Sequence, residues 1–311
     1  MSDSTDISVI ICCYKPSFEK LIKTIISVEK QQGVSFDIVA TDDGSEVDYF
    51  EEAEKWAIKN GFTNIYFNKI AKNVGTVKNI LFALKYCKAE YVKTISPGDY
   101  LFDEHSLKNY LECFERDGAS IVSGKSVYFT DDGTIVPSAF PKLEQSCKRK
   151  YMKRNLVKYD DSLLGASMAF KKAFLKEGLE EIKNVVRYLE DKPLVNMCLM
   201  TGGIVSFSQE KLVWYETGNG ISTSNSPNPL FIKDLDSYYS SISESEEKYY
   251  RYVSNVYFHN KKWSKIKKII LYPFVHPGYF LFKIRTILRR HSLIEMDITK
   301  QYRITSLEKG E

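Results

Sequence analysis

The chain has 311 residues, of which 43% are hydrophobic and 27% charged, so it can bury a sizeable core and is neither a disordered nor a fibrous polymer. Its net charge of +4 is too small to argue for nucleic acid as a partner. The six cysteines (Cys12, Cys13, Cys87, Cys113, Cys147 and Cys198) contain no C-x-x-C pair, and adjacent Cys12 and Cys13 point to opposite faces of a strand, which makes them a poor disulfide or metal pair.

The opening "MSDSTDISVI" lacks a basic region followed by a long apolar core, so the expectation is no signal peptide and a reducing, cytoplasmic setting. "ISVIICCY" is a continuous apolar run of strand length. Next comes a helix, "SFEKLIKTIISVEKQ", with Leu21, Ile22, Ile25, Ile26 and Val28 at helical spacing, Ser17 as N-cap and Gly33 just past its end. "FDIVATDDGS" is a strand running into a turn, and "VDYFEEAEKWAIKNG" is a helix with acids first, closed by Asn60-Gly61. "NIYFNKI", "TVKNILFALKYCK" and "EYVKTI" continue as strand, helix and strand.

This alternation with continuous apolar strands predicts an α/β fold, a Rossmann-like and mostly parallel sheet with helices on both faces. Ligands of such sheets sit beyond the carboxyl ends of the strands. Three polar clusters fall there: Tyr14-Lys15, Asp42-Asp43-Gly44-Ser45, and Ser96 to Asp99. One pocket is expected to collect all three. The aspartates at 42 and 43 are also good turn residues, so a plain turn is the competing account.

Further on, "ASIVSGKSVYF" reads as a strand bulged at Gly124, and "DDGTIVPSAFPKLEQSCKRKYMKRN" as an excursion rich in turn residues and basic charge. "GASMAFKKAFLKEG" restores order, "VVRYLEDKPLVNMCLMTGG" is a helix with acids at its start, and "IVSFSQEKLVWYE" is a strand. "TGNGISTSNSPNP" is a long loop, either a lid or a mobile connection. The tail "NKKWSKIKKIILYPFVHPGYFLFKIRTILRRHSL" mixes aromatics, aliphatics and cations. Pro273, His276, Pro277 and Lys283 interrupt it, against the roughly 20 apolar residues that a spanning helix needs. The composition fits a segment lying in a membrane interface, with a helical pair packed on the domain as the alternative.

Taken in order, "SVIICCYKPSFEKLIKTIISVEKQ", "IVATDDGS", "NVGTVKNILFAL", "EYVKTISPGDYL", "GASMAF" and "YLEDKPL" resemble family 2 glycosyltransferases of the GT-A fold over about residues 7–225. The resemblance implies an inverting transfer of a sugar from a nucleotide diphosphate, a UDP-sugar in the simplest reading, to an acceptor hydroxyl. It places Cys13 and Tyr14 at the nucleobase, with Asp42 or Asp43 accepting a hydrogen bond from it. Lys78 stands where many relatives carry an arginine near the nucleotide. Where the family has two aspartates separated by one residue, this chain has Ser96 and Gly98, leaving Asp99 as the contact for Mg2+ or Mn2+ and Ser96 near the ribose. Asp191 becomes the general base and Glu190 its support; Asp191 is also a good N-cap, with Pro193 in the first turn.

The division implied is a GT-A domain over 1–225, its nucleotide-binding part about 1–130 and its acceptor part about 131–225, followed by a basic, aromatic helical extension over 226–311. The expected partners are a nucleotide-sugar donor, a glycan or polyprenyl-diphosphate-linked acceptor of the kind used for capsule, O-antigen or exopolysaccharide, and a membrane surface; no nucleic acid is expected. The location expected is cytoplasmic, peripheral on the inner face of the cell membrane. His105, His259, His276 and His291 show no ligand-like spacing, Trp214 and Tyr215 suit either a sugar platform or the core, and Lys148, Arg149, Lys150, Lys153 and Arg154 suit a phosphorylated acceptor or plain solvation. Two alternatives stand beside this reading. One is a binding subunit that has lost catalysis; the other is a nucleotidyltransferase, which the absence of glycine in "CCYKPSFEK" disfavours.

Overall fold

Strand β1 (Ile7–Cys13) has every side chain buried except the half-buried Cys12, as a strand covered on both faces requires. It pairs in parallel with β2 (Phe36–Asp42) on one side and β4 (Tyr91–Ile95) on the other, and β2 pairs in parallel with β3 (Ile65–Lys69). Ile7, Val9, Ile11 and Cys13 pack with α1 (Phe18–Glu29), α2 (Phe50–Lys59) and α4 (Ser106–Asp117), while Ile10 and Cys12 face α3 (Thr76–Ala83). The two adjacent cysteines therefore sit in different cores. Each fully buried Ile or Leu in these layers is worth roughly 1.5–3 kcal/mol. Ser17 caps α1 by accepting the N–H of Lys20 at 3.2 Å.

The structure is a computed structural model and describes residues 5–47, 49–136, 152–218, 220 and 228–297. Cys147, Lys148, Arg149 and Lys150 lie outside the described residues, as do 219 and 221–227 of the long loop and the side chain of His291.

Past β4 the sheet becomes mixed. The strand order is β3-β2-β1-β4-β8-β6-β9-β5, with β7 (Ile135–Val136) added to β6. Strand β8 (Ala169–Lys171) runs antiparallel between β4 and β6 (Ile121–Phe129). Strand β9 (Val205–Glu216) returns parallel to β6, and β5 (Tyr100–Leu101) closes that edge antiparallel to β9. The β6·β9 register shifts around Lys125, which puts the irregularity next to Gly124, where the sequence predicts a bulge. Helices α5 (Lys172–Ile182) and α6 (Asp191–Thr201) cover the same face as α3.

Among the described residues four helices follow: α7 (Pro229–Ser243), α8 (Lys248–Lys262), α9 (Lys265–Val275) and α10 (Pro277–Asp297). Asn228 caps α7, with Pro229 at its first position. Tyr238, Tyr239 and Ile242 of α7 and Val253 of α8 belong to the same core as α3, α5 and α6. Helices α9 and α10 join through a smaller cluster of Val256, Tyr272 and Tyr279. His276 separates them and is buried, its Nε2 2.9 Å from Nδ1 of His259. Among the described residues no helix is long and apolar enough to cross a membrane.

Candidate active site

A cleft of 630 Å³ opens at the carboxyl ends of β1, β2 and β4. Its wall contains Cys13 at the end of β1 and Tyr14 after it, Asp43 after β2, Ser96 and Asp99 after β4, and Glu190 and Asp191 at the start of α6. Segments far apart in sequence thus meet in one space, as the strand-end placement predicts.

At the β1–β2 end, the backbone N–H of Lys15 donates to Ser45 Oγ at 2.7 Å, and that of Asp43 donates to the carbonyl of Cys13 at 2.9 Å. Asp43 Oδ1 accepts from the N–H of Val74 at 2.6 Å and Oδ2 from that of Gly75 at 2.8 Å. Burial raises the Asp43 carboxyl and these two donors oppose the shift. The ring of Tyr14 is half exposed at the mouth.

Two of the expected site residues fall elsewhere. Asp42 is fully buried outside the cleft wall, because its carboxylate turns back to Ser45, accepting from Oγ at 2.5 Å and from N–H at 2.8 Å. Lys78 is exposed and does not line the cleft; at about 100° per residue the helical phase turns Thr76, Asn79 and Ile80 inward and leaves position 78 outside. Trp214 is core, with Nε1 donating to the carbonyl of Phe102 at 3.1 Å, while its neighbour Tyr215 lines the cleft.

The carboxylates Glu190 and Asp191 stand on a loop held from outside its own element. Asp234 of α7 accepts the consecutive N–H groups of Arg187, Tyr188 and Leu189 on one oxygen. The carbonyl of Arg187 accepts the N–H of Val77 at 3.1 Å, and its guanidinium donates to Asn73. The loop that Asp43 holds and the loop that Asp234 holds are thus joined to each other. Asp191 is the first residue of α6 rather than its cap; the cap position is Glu190, with no side-chain cap bond. The cause is local, since Asp191 Oδ1 accepts the N–H of the next residue, Lys192, at 2.7 Å. Its Oδ2 lies 3.1 Å from the place a Cβ on Gly165 would occupy, so glycine there keeps the carboxylate open to the cleft. Desolvation, with Asp191 alongside, pushes Glu190 up to about 8, and desolvation also raises Asp191 against the pull of Lys192.

At the far end, the segment "SPGD" is a turn, with the N–H of Asp99 on the carbonyl of Ser96 at 3.0 Å, and Asp99 still reaches the cleft. Asp99 Oδ1 accepts the N–H of Glu216 at 3.0 Å. Lys93 is fully buried beneath it, its Nζ donating to the carbonyl of Ala166 at 2.6 Å. Burial lowers Lys93 to about 7 and raises Asp99 to about 7, each charge opposing the other's shift. Gly98 has φ +101°, and a Cβ on it would stand 2.4 Å from Glu216 Oε2. The Glu216 carboxylate, delivered by β9, therefore fills the space of the missing side chain at 98. Lys20 Nζ donates to Glu216 Oε1 at 2.5 Å and pairs with Asp131 at 2.7 Å.

Sequence reasoning passes over Lys20, Lys93, Glu216 and Asp234. Lys93 carries one visible signal, a cation at the middle of the short central strand between Val92 and Ile95. The others become visible only once the chain is folded.

Among the described residues no three His, Cys, Asp or Glu side chains form a ready-made metal site. A hard cation bridging a diphosphate takes most of its ligands from phosphate and water and needs only one or two carboxylates. Asp99 and Glu216, side by side at the Gly98 cradle, fit that requirement.

A family model described as glycosyl transferase family 2 matches residues 8–179. Among solved structures, TarS 1–349 of S. aureus is similar at a TM-score of 0.57 and 16% identity, covering 93% of this chain and 81% of that one. Its complex with UDP-GlcNAc gives 0.58 and 17%, covering 93% and 84%. Its complex with UDP gives 0.57 and 15%, covering 96% and 93%. No curated protein matches the chain.

Proposed function

The chain belongs to glycosyl transferase family 2 and is a glycosyltransferase, and we propose that it moves a sugar, with inversion, from a UDP-sugar to a hydroxyl of a glycan or a polyprenyl-diphosphate-linked saccharide. One observation carries this reading: Tyr14, Asp43, Asp99 and Asp191 line a single 630 Å³ cleft. A nucleoside would enter at Tyr14 and Asp43, the diphosphate would lie toward Ser96 and Asp99, and the sugar would reach Asp191. The UDP and UDP-GlcNAc complexes of the similarly folded TarS support a uridine donor.

Inversion is a single displacement at the anomeric carbon. The acceptor oxygen attacks, the bond to the diphosphate breaks, and the acceptor proton passes to the Asp191 carboxylate within hydrogen-bond reach. Desolvation in the cleft wall pushes Glu190 up to about 8, so it keeps its proton at neutral pH and is the supporting member of the pair. Holding Asp191 on Lys192 and beside Gly165 fixes it before substrate arrives, which lowers the entropic part of the barrier. A divalent cation held by Asp99, with Glu216 beside it, would offset the charge that develops on the departing diphosphate. Lys20, placed in the cleft wall, adds a fixed positive charge at the same end.

UDP release from a panel of UDP-sugars, with and without chelator, tests the proposal. Turnover of at least one sugar is expected. UDP binding with no release from any donor, in the presence of acceptor glycans, would leave a binding subunit instead.

A further inference from the structure

The last two helices expose apolar side chains on one side and bury others on the opposite side. On α9, Ile266, Ile269, Ile270 and Phe274 follow at spacings of three and four and are 72%, 69%, 57% and 80% exposed. On α10, Leu281, Ile284, Ile287 and Leu288 repeat the pattern at 55%, 38%, 61% and 66%. Tyr272 and Tyr279, on the inward sides, are buried against Val256 of α8. The outward apolar face is therefore surplus to the packing that holds the helices in place.

The charge along these helices is predominantly positive, the only acids in the sequence of α9 and α10 being Glu295 and Asp297 at the very end of α10. Residues 248–294 contain no Asp or Glu and eleven Lys or Arg. Lys265, Lys267 and Arg285 are exposed next to the apolar stripe, and Trp263, half-buried, stands at the start of α9. A second copy of the chain docking on this face would bring two strongly basic surfaces together, which electrostatics opposes. No described helix can span a bilayer, so the face lies along a surface rather than through one. Apolar side chains flanked by cations, with a tryptophan at the edge, match the headgroup boundary of a membrane carrying negative lipid.

We propose that the outward face of α9 and α10 docks the protein on an anionic membrane surface, with Ile266, Ile269, Ile270 and Phe274 inserted and the flanking lysines on lipid phosphates. The inference deepens the proposed function, because its purpose rests on the reading of a lipid-linked acceptor. The docking itself stands on the helices alone. Tyr159 stacks on Phe282 of α10, and its neighbour Asp160 accepts from Lys192 Nζ at 2.7 Å, next to Asp191. The anchored helices are thus wired by direct contacts to the carboxylate end of the cleft.

The test is cosedimentation of the full chain with vesicles of phosphatidylcholine alone and of phosphatidylcholine with phosphatidylglycerol, at low and high salt. Binding to the anionic vesicles is expected, weakened about tenfold or more by high salt and by neutral lipid. The double variant Ile269→Glu/Phe274→Glu should lose binding by at least about tenfold, and Lys265→Glu/Lys267→Glu should do the same. All four side chains already face solvent, so circular dichroism should match wild type, and UDP release with a water-soluble acceptor should be unchanged. Wild type that ignores both vesicle types overturns the proposal, as do variants that bind like wild type. Light scattering that shows a dimer dissolved by Phe274→Glu, without vesicle binding, would assign the face to a second copy instead. Loss of UDP release with vesicle binding intact would sink the proposed function and leave the docking standing.

Discussion

Two acidic pairs in this protein look alike on paper and differ in the fold. Asp42-Asp43 has all four carboxylate oxygens accepting from nearby N–H or O–H groups of Ser45, Val74 and Gly75. Asp191 accepts one neighbouring backbone N–H and turns its second oxygen over Gly165 into the cleft. Saturated carboxylates hold loops, because removing them strands buried donors. A carboxylate with an open oxygen can take a proton from a substrate. By this contrast the first pair acts as scaffold, and the proposed function takes the second as the reactive pair.

The sharpest way to break this comparison is Asp191→Asn. Loss of the base should lower transfer by about 10²–10⁴-fold, while UDP affinity measured by calorimetry stays close to wild type. Equal transfer rates would remove Asp191 from the chemistry. Asp43→Ala should show the reverse emphasis, with stability to urea falling by about 1–3 kcal/mol as the N–H groups of Val74 and Gly75 lose their acceptor. Unchanged stability there would mean that the saturated pair is not scaffold.

Glu190→Gln sharpens the contrast through pH. The folded carboxyl titrates near 8, well above the ordinary glutamate value of about 4.3. The stability it contributes is complete below the unfolded value and is lost as pH rises through the folded one. Glutamine does not ionise, so the variant should melt higher than wild type above pH 8 and lose that advantage toward pH 5. A constant difference across the range would refute the protonated state. The smallest effect belongs to Lys78→Ala, which should leave both UDP affinity and transfer unchanged, since the residue faces solvent.

The alternation of strands and helices was legible because burial on both faces leaves continuous apolar runs, and the polar clusters after β1, β2 and β4 marked the cleft. Local signals also carried the Ser17 cap and the bulge beside Gly124. What stayed hidden is partnership across distance. Nothing near Asp234 in sequence says that it will hold the N–H groups of Arg187 to Leu189, 45 to 47 positions away. Nothing in "LVWYE" says that its glutamate will reach Gly98. Lys78 and Asp42 fall on the other side of the same limit, since spacing alone does not fix helical phase or the direction a turn carboxylate takes.

The Gly98 cradle bears on any attempt to graft the more usual acidic motif into this chain. An aspartate introduced at 98 would need a backbone angle that L-residues resist and would collide with a carboxylate already in residence. Retrofitting that turn therefore calls for a compensating change at the end of strand β9, so the two positions should be inherited, and engineered, as one unit.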